Sequence, residues 1–221
     1  LDNWIDKNKK LFIFDMDGLL FDSERIVQRS WEMAGDELGI PHMGDVIYHT
    51  LGMNRTGRNE YFRKYIREDF PFEEFGRLTR DNFWKIVDKE GLPLKKGVKE
   101  LLAYGKSQGY KMAVATSSSR EYAMGNLIRA GIDPYFDSVI CGDMVKKAKP
   151  DPEIYQKASE SLGIPPEYCM AFEDAPGGIL SAHQAGMKVI MVPDLVQSTE
   201  EIRKLTYRVC DSLADVIGIL N

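Results

Sequence analysis

The sequence predicts an α/β protein whose core is a doubly wound, Rossmann-like parallel sheet, with an α-helical cap inserted into that core. Five short runs rich in Val, Ile, Phe or Met, each ending in polar or small residues, are typical of buried parallel strands. From the second run onward the intervals carry helical periodicity, so strands and helices alternate along the chain. Residues 16–110 separate the first run from the second. This interval is far longer than a crossover connection between two parallel strands needs.

The elements of the core follow from these patterns in chain order. We expect strands at residues 11–15, 111–116, 138–143, 169–174 and 188–194. Helical periodicity predicts helices at residues 120–130, 153–162 and 177–185, and another that starts near Val98. Residues 207–220 are expected to add an edge strand and a closing helix.

The inserted segment contains no strong strand signal and is expected to be helical. Residues 24–38 repeat apolar side chains at helical spacing, and either Asp22 or Ser23 is available as the N-cap. Further helices are expected at about 58–68 and 72–89, and Gly and Pro in residues 91–97 mark the return to the core. The predicted domains are therefore an α/β core of residues 1–22 and 92–221 and a helical cap of residues 23–91.

Length, composition and charge exclude several classes of protein. The 221 residues suit one large domain or a core with a smaller insertion, and the hydrophobic content of 43% excludes disordered and fibrous classes. The net charge of −5 provides no general attraction for nucleic acid or an anionic membrane. Three cysteines without metal-ligand spacing, and no apolar signal segment, favour a cytoplasmic protein. Nothing in the sequence implies a protein partner.

Polar side chains follow four of the predicted strands. Asp15 and Asp17 follow the first strand, Thr116 and Ser117 the second, Lys149 comes just after the third, and Glu173 and Asp174 end the fourth. In an open α/β sheet the ligand crevice lies beyond the carboxyl ends of the strands. Two aspartates alone would be typical of a turn or a helix cap, but polar residues at four strand ends favour a common site.

This set of residues predicts a Mg²⁺-dependent phosphoryl-transfer site. Clustered carboxylates raise one another's pKa unless a hard cation relieves the repulsion, and Mg²⁺ prefers oxygen ligands together with waters and substrate phosphate. One aspartate could attack phosphorus while the other hands a proton to the leaving oxygen. Thr116, Ser117 and Lys149 are the candidate phosphate-binding residues, which would hold the phosphoryl oxygens as charge develops.

Four segments also resemble the signature motifs of a known family. They are DMDGLLFDSE (15–24), AVATSSS (113–119), KAKPDPEIY (147–155) and FEDAPGG (172–178). In order and spacing they resemble the four motifs of the haloacid dehalogenase superfamily. The chain is most similar to the subgroup whose helical cap is inserted after the first motif, which includes β-phosphoglucomutase and many phosphatases of small phosphate esters.

The resemblance implies a role for each residue at the strand ends. Asp15 would form the aspartyl phosphate, and Asp17 would be the general acid and then the general base. Mg²⁺ would be held by the Asp15 carboxylate, the main-chain carbonyl of Asp17 and Asp174, with Glu173 nearby or contributing. The implied function is hydrolysis of a small phosphorylated metabolite, either a sugar phosphate or a nucleoside monophosphate.

Two alternatives stay open at this point. Phosphomutases similar to β-phosphoglucomutase carry a histidine on the first cap helix where this sequence has Val27, but their cap-loop arginine is matched by Arg55 in GMNR (52–55). Arg55 is thus a candidate substrate contact, and we favour hydrolysis because it requires fewer groups. The second alternative is a phospho-accepting signalling module, whose acids, hydroxyl and lysine also lie at strand ends. Such modules are shorter and lack the cap.

Overall fold

The structure, a computed structural model, describes residues 10–50, 55–196 and 198–220. Two compact units divide the chain. One contains the residues up to Phe21 and from Pro93 onward, and the other comprises Asp22–Leu92.

Within the described residues, the first unit contains one six-stranded sheet. Its strands are β1 (Leu11–Phe14), β2 (Lys111–Ala115), β3 (Ser138–Ile140), β4 (Cys169–Glu173), β5 (Lys188–Met191) and β6 (Arg208–Val209). They lie in the order β3-β2-β1-β4-β5-β6, and every neighbouring pair is parallel. This arrangement confirms the predicted doubly wound α/β fold, including the edge strand near the C-terminus.

The register of the central strands brings their carboxyl ends level. Phe14, the last residue of β1, lies opposite Val114 of β2 and Phe172 of β4. The residues that follow these three strands therefore leave the sheet at the same edge, and this is the edge at which the sequence predicts the site.

Strand β1 is apolar throughout because both faces of the sheet are covered. Leu11 and Ile13 belong to an aliphatic cluster on one face, which also contains Ala113 and Ala171. Phe12 and Phe14 alternate to the other face, where each ring contacts Phe172, with centroids 5.1 and 4.7 Å apart. Alternate side chains of a strand point to opposite faces, so a strand buried on both sides reads as a continuous apolar run.

The helices of this unit alternate with its strands along the chain. They are α5 (Val98–Ser107), α6 (Arg120–Arg129), α7 (Glu153–Ser161), α8 (Pro176–Gln184), α9 (Glu200–Leu205) and α10 (Leu213–Leu220). Short 3₁₀ turns at Asp133–Tyr135, Gly142–Met144 and Pro166–Tyr168 complete the connections. Across the described ranges of the whole chain, no helix has both the length and the apolar composition that a bilayer crossing requires.

The second unit is helical in its described part. Its helices are α1 (Ser23–Leu38), α2 (Met43–Thr50), α3 (Arg55–Tyr65) and α4 (Phe72–Glu90). Trp31 of α1 packs edge-on against Phe62 of α3 and Phe75 of α4, with both pairs of ring centroids 5.6 Å apart. Buried aromatic side chains therefore form the core of this unit, whereas Trp84 (42%), Tyr48 (51%) and Tyr65 (60%) are exposed.

Two details of this unit differ from the prediction. Helix α2 was not predicted, because it is short and contains Gly44. Gly44 lies against α1, where its N–H donates to Glu32 Oε2 at 2.6 Å. The N-cap of α1 agrees with the prediction in position only. Asp22, one of the two predicted candidates, occupies the N-cap, but its side chain makes no capping hydrogen bond and its carboxylate instead forms an ion pair with Arg25 at 3.0 Å.

Candidate active site

The chain turns sharply immediately after β1. The N–H of Asp15 still donates to the Phe172 carbonyl at 3.0 Å, so this residue extends the pairing with β4 by one position. The chain then reverses at Gly18, whose N–H donates to the Phe21 carbonyl at 2.9 Å. Gly18 has φ +86°, a conformation that residues with a Cβ rarely adopt. The turn leaves the Asp15 side chain buried at the end of the strand.

Lys149 joins the ends of three strands. Its ammonium donates to Asp15 Oδ1 at 2.6 Å, to Glu173 Oε1 at 2.7 Å and to the Ala115 carbonyl at 2.9 Å. These three acceptors use all the hydrogens of the group. Burial opposes the charge of Lys149, but the two carboxylates outweigh this effect and raise its pKa. The side chain is therefore a fixed cation at the sheet edge.

Three carboxylates gather beside this lysine. Oxygen atoms of Asp15, Glu173 and Asp174 all lie within 4.8 Å of one another. Burial raises the pKa of Asp15 to about 7, since the attraction of Lys149 is smaller than the cost of burial and Glu173 adds repulsion. Burial, followed by repulsion from Asp15 and Glu173, raises the pKa of Asp174 well above its usual range. Three acids facing one ammonium leave an excess of negative charge in a buried space.

This cluster fits a divalent cation that takes oxygen ligands. A cation would offset the repulsion that raises both aspartate pKa values, and Mg²⁺ is bound by one or two carboxylates together with waters. Gly18 leaves room for the Asp174 carboxylate in this cluster, because a Cβ at this position would overlap it. The donor set and the missing Cβ thus suit a divalent cation, and its identity as Mg²⁺ stays a prediction.

Glu173 is held more tightly than the other two acids. Its Oε1 accepts from Lys149 and also from the Tyr155 hydroxyl at 2.5 Å. Burial and the neighbouring acids raise the pKa of Tyr155 well above its usual value, so this hydroxyl is a neutral donor. The carboxylate lies against Gly178 of α8, where any Cβ would overlap it. These contacts fix the orientation of Glu173.

Asp17 points to a different set of partners. Its Oδ2 accepts from the Ser118 hydroxyl at 2.7 Å, and its Oδ1 accepts from the Tyr122 hydroxyl at 3.1 Å. The carboxylate of Asp17 is therefore positioned by the loop after β2 and the first turn of α6. Neither Ser118 nor Tyr122 was among the predicted site residues. Only the position of Tyr122, shortly after the second motif, could have suggested it.

The remaining predicted residues lie in different surroundings. Thr116 is 1% exposed, and its Oγ1 accepts from the Ser118 N–H at 3.1 Å, which shapes the loop after β2. Ser117 is exposed, and its carbonyl carbon and oxygen lie against Gly142. Arg55 is the first residue of α3, but its side chain and residues 51–54 lie outside the described residues. The structure therefore brings Asp15, Lys149, Glu173 and Asp174 together at one place.

The helical unit contains a cavity of its own, with a volume of about 350 Å³. Val27 and Trp31 line it from α1, and Arg58 lines it from α3 with its guanidinium 5.8 Å from the centre of the Trp31 ring. Thr79 of α4 also lines it, and its hydroxyl oxygen is buried without a hydrogen-bond partner in the described part of the chain. Val27 contributes no titratable group to this cavity.

Comparisons with known proteins identify the family that the chain resembles. The family model described as haloacid dehalogenase-like hydrolase matches residues 12–192. YhcW of Bacillus subtilis is 33% identical over 94% of this chain and 93% of its own length. A phosphorylated carbohydrates phosphatase of Thermotoga maritima is 33% identical over 80% of this chain and 82% of its own. The crystal structure of CbbY from Rhodobacter sphaeroides in complex with phosphate is 26% identical, with a TM-score of 0.72, and the match covers 94% of this chain and 96% of that one.

The matched residues extend from β1 past the end of β5 and include the strand-end residues gathered by the sheet. A family match of this extent, with two relatives that align over most of their own length, shows that the chain belongs to the haloacid dehalogenase-like hydrolase family.

Proposed function

We propose that this protein is a Mg²⁺-dependent phosphatase that hydrolyses a small organic phosphate monoester through an aspartyl-phosphate intermediate. The family is one of hydrolases, which agrees with the predicted enzyme class. The observation that carries the proposal is the contact of Lys149 with Asp15 and Glu173 beside the Asp174 carboxylate. This arrangement joins a carboxylate nucleophile to a fixed cation in a buried space.

Asp15 is the nucleophile in this proposal. Lys149 binds its Oδ1, so Oδ2 is the oxygen that would attack phosphorus. The new bond joins Asp15 Oδ2 to phosphorus, and the bond from phosphorus to the ester oxygen breaks. The contact with Lys149 favours the ionised carboxylate, which is the form that can attack.

Asp17 is the acid and base of the two steps. Its protonated carboxyl would give a proton to the ester oxygen as the alcohol leaves, and the resulting carboxylate would then take a proton from water. That water would attack phosphorus, which breaks the bond to Asp15 and releases inorganic phosphate. The hydroxyls of Ser118 and Tyr122 support this role because they hold the side chain in one orientation.

The phosphoryl group would be bound by Lys149, Thr116 and Ser117, with main-chain N–H groups around Met16 and Asp17. The ammonium already lies at the nucleophile, so it needs little movement to stabilise charge that develops on the phosphoryl oxygens. For Ser117, whose side chain is exposed, the main-chain N–H is the better donor.

Mg²⁺ would be held by Asp15, the main-chain carbonyl of Asp17 and Asp174, with Glu173 nearby. When bound, it would supply positive charge that offsets repulsion between the phosphate and the acids around it. The crowding of three buried carboxylates supports this assignment.

A sugar phosphate is the favoured substrate, with a nucleoside monophosphate second. The name of the Thermotoga maritima relative gives phosphorylated carbohydrates as its substrates, which supports the first choice. Val27 stands where mutases similar to β-phosphoglucomutase have a histidine, and this favours hydrolysis over phosphoryl exchange between two positions of a sugar.

A phosphate-release screen tests the proposal directly. The protein is incubated with sugar phosphates and nucleoside monophosphates, with either Mg²⁺ or a chelator, and compared with Asp15→Asn. We expect free phosphate only with Mg²⁺ and only from the parent protein. Unchanged release by Asp15→Asn would end the proposal. A hexose 1-phosphate that becomes the 6-phosphate in the presence of its bisphosphate, without matching phosphate release, would instead support the phosphomutase.

A further inference from the structure

Asp194 carries a buried carboxylate oxygen that no described residue satisfies. The side chain follows β5 and is 10% exposed. Its Oδ1 accepts from the Lys95 ammonium at 2.5 Å, whereas its Oδ2 is buried without a hydrogen-bond partner among the residues that the structure describes. An unsatisfied buried oxygen on a charged group is costly, so a native carboxylate in this position requires a donor.

The unpaired oxygen faces the candidate metal cluster. A Cβ placed on Gly18 would lie 3.5 Å from Asp194 Oδ2, and it would overlap Oδ2 of Asp174. Two carboxylate oxygens, one from the loop after β4 and one from the loop after β5, therefore border the same small space above Gly18. Pairing of β4 with β5 fixes this arrangement, since the N–H of Val192 donates to the Glu173 carbonyl at 2.8 Å.

Two acids that face one space repel each other unless a donor lies between them. Lys95 satisfies only the far oxygen of Asp194, and its own backbone is tied to the turn after β1, where its N–H donates to the Leu20 carbonyl at 2.9 Å. A water molecule offers two hydrogens, so one water can donate to both carboxylates. Mg²⁺ keeps several of its waters in proteins, and groups that bind those waters tune its affinity.

We propose that Asp194 is a positioning residue for the metal site, whose Oδ2 accepts a hydrogen bond from a water in the coordination sphere of the cation held by Asp15 and Asp174. This inference rests on the proposed function, because it requires that the cluster binds Mg²⁺. Lys95 has a separate role, which is to offset the charge of Asp194 through Oδ1.

Calorimetric titration with MgCl₂, in the absence of substrate, tests the inference without measuring activity. We expect Asp194→Asn to weaken Mg²⁺ binding by about 10-fold, the lower end of the range for outer-sphere partners of a metal site. The matched control is Lys95→Met, which breaks the same ion pair but retains Asp194 Oδ2. It is expected to lower the melting temperature while keeping the Mg²⁺ affinity within about 3-fold of the parent value, since the proposed water contact remains.

A third variant covers the case in which Asp194→Asn fails to fold because Lys95 is left unpaired. The double variant Lys95→Met with Asp194→Asn has no charge at either position, and we expect it to fold and to bind Mg²⁺ about 10-fold more weakly than the parent. Parent-like affinity in this variant would overturn the inference. Equal weakening by Lys95→Met and Asp194→Asn would also overturn it, because the ion pair alone would then explain the effect.

The parent protein and Asp174→Asn separate this inference from the proposed function. If the parent binds Mg²⁺, Asp174→Asn abolishes binding, and Asp194→Asn leaves it intact, then only the role of Asp194 is wrong. If the parent protein itself binds no Mg²⁺, both the proposed metal site and the inference drawn from it are overturned.

Discussion

The Lys149 ammonium lies 2.6 Å from Oδ1 of Asp15, although 134 positions separate the two residues in the chain. The contact exists because parallel pairing aligns the ends of β1, β2 and β4, and the loop that carries Lys149 returns to that edge of the sheet. One ammonium thus offsets part of the charge of two buried acids, Asp15 and Glu173.

Replacing Lys149 with methionine should both destabilise and inactivate the protein. Removal of one partner from a buried ion pair typically costs about 3–5 kcal/mol, and loss of a group that stabilises the transition state typically lowers kcat by about 10²–10³. Urea unfolding and phosphate release measure the two effects. The control is Lys147→Met, which removes an exposed lysine 3.5 Å from Asp151 and should change stability by less than about 1 kcal/mol. Equal effects of the two variants would contradict the role of Lys149.

The stability of the metal-free protein should decrease as pH rises from about 4 to about 7. The pKa of Asp15 is 3.8 when exposed and about 7 in the folded state. Between these values the folded protein holds a proton that the unfolded chain has released, so unfolding becomes easier as pH increases, by about 1 kcal/mol per pH unit. The raised pKa of Asp174 acts in the same direction.

Urea unfolding at several pH values, with a chelator present, measures this effect. The comparison is Asp15→Asn, which cannot titrate at this position and should show a smaller decrease over the same range. A parent protein whose pH dependence equals that of Asp15→Asn would show that burial does not protonate Asp15.

Loss of the Tyr122 hydroxyl should slow turnover with little effect on folding. Tyr122→Phe removes a donor that orients Asp17, so we expect kcat to fall by about 10-fold with KM nearly unchanged. Ser118→Ala should act similarly, through the other oxygen of Asp17. Steady-state kinetics on an aryl phosphate gives both constants. Tyr48→Phe, which alters an exposed tyrosine of the helical unit, is the control and should leave kcat unchanged. If these variants raised KM and left kcat unchanged, the result would argue against a role of the two hydroxyls in orienting Asp17.

Two adjacent glycines of α8 should respond differently to alanine. A Cβ at Gly178 would overlap the Glu173 carboxylate, whereas a Cβ at Gly177 has no neighbour within 4 Å. We therefore expect Gly178→Ala to lower stability by about 1–3 kcal/mol and to reduce activity, because it displaces an acid of the site. Gly177→Ala should leave activity unchanged and should leave stability unchanged or raise it slightly, since alanine favours the helix. Thermal unfolding and phosphate release distinguish the pair, and similar behaviour of the two variants would contradict the packing described for Glu173.

The sheet could be predicted because its central strands are buried on both faces. Runs such as residues 11–14 and 169–172 are apolar throughout, and polar residues mark where each of them ends. Because parallel strands end at one edge, the gathering of Asp15, Lys149, Glu173 and Asp174 followed from the strand assignments. The same reasoning cannot assign a hydrogen-bond partner to each oxygen.

Partners that depend on tertiary packing were not predictable. Tyr155 lies on α7 and was read only as part of a motif, yet its hydroxyl contacts Glu173. Asp22, one of two candidates for the N-cap of α1, takes that position, but its backbone is not in the extended conformation that places a capping oxygen over the helix end. Such contacts are set by side-chain directions and backbone angles that composition and periodicity do not specify.

Trapping of the covalent intermediate tests the central claim most directly. Excess enzyme is mixed with substrate and Mg²⁺, quenched with acid within milliseconds, digested and analysed by mass spectrometry. We expect a phosphoryl group on the peptide that contains Asp15, and none in Asp15→Asn. Rapid substrate turnover without phosphorylation of that peptide, or with the phosphoryl group on another residue, would contradict nucleophilic attack by Asp15.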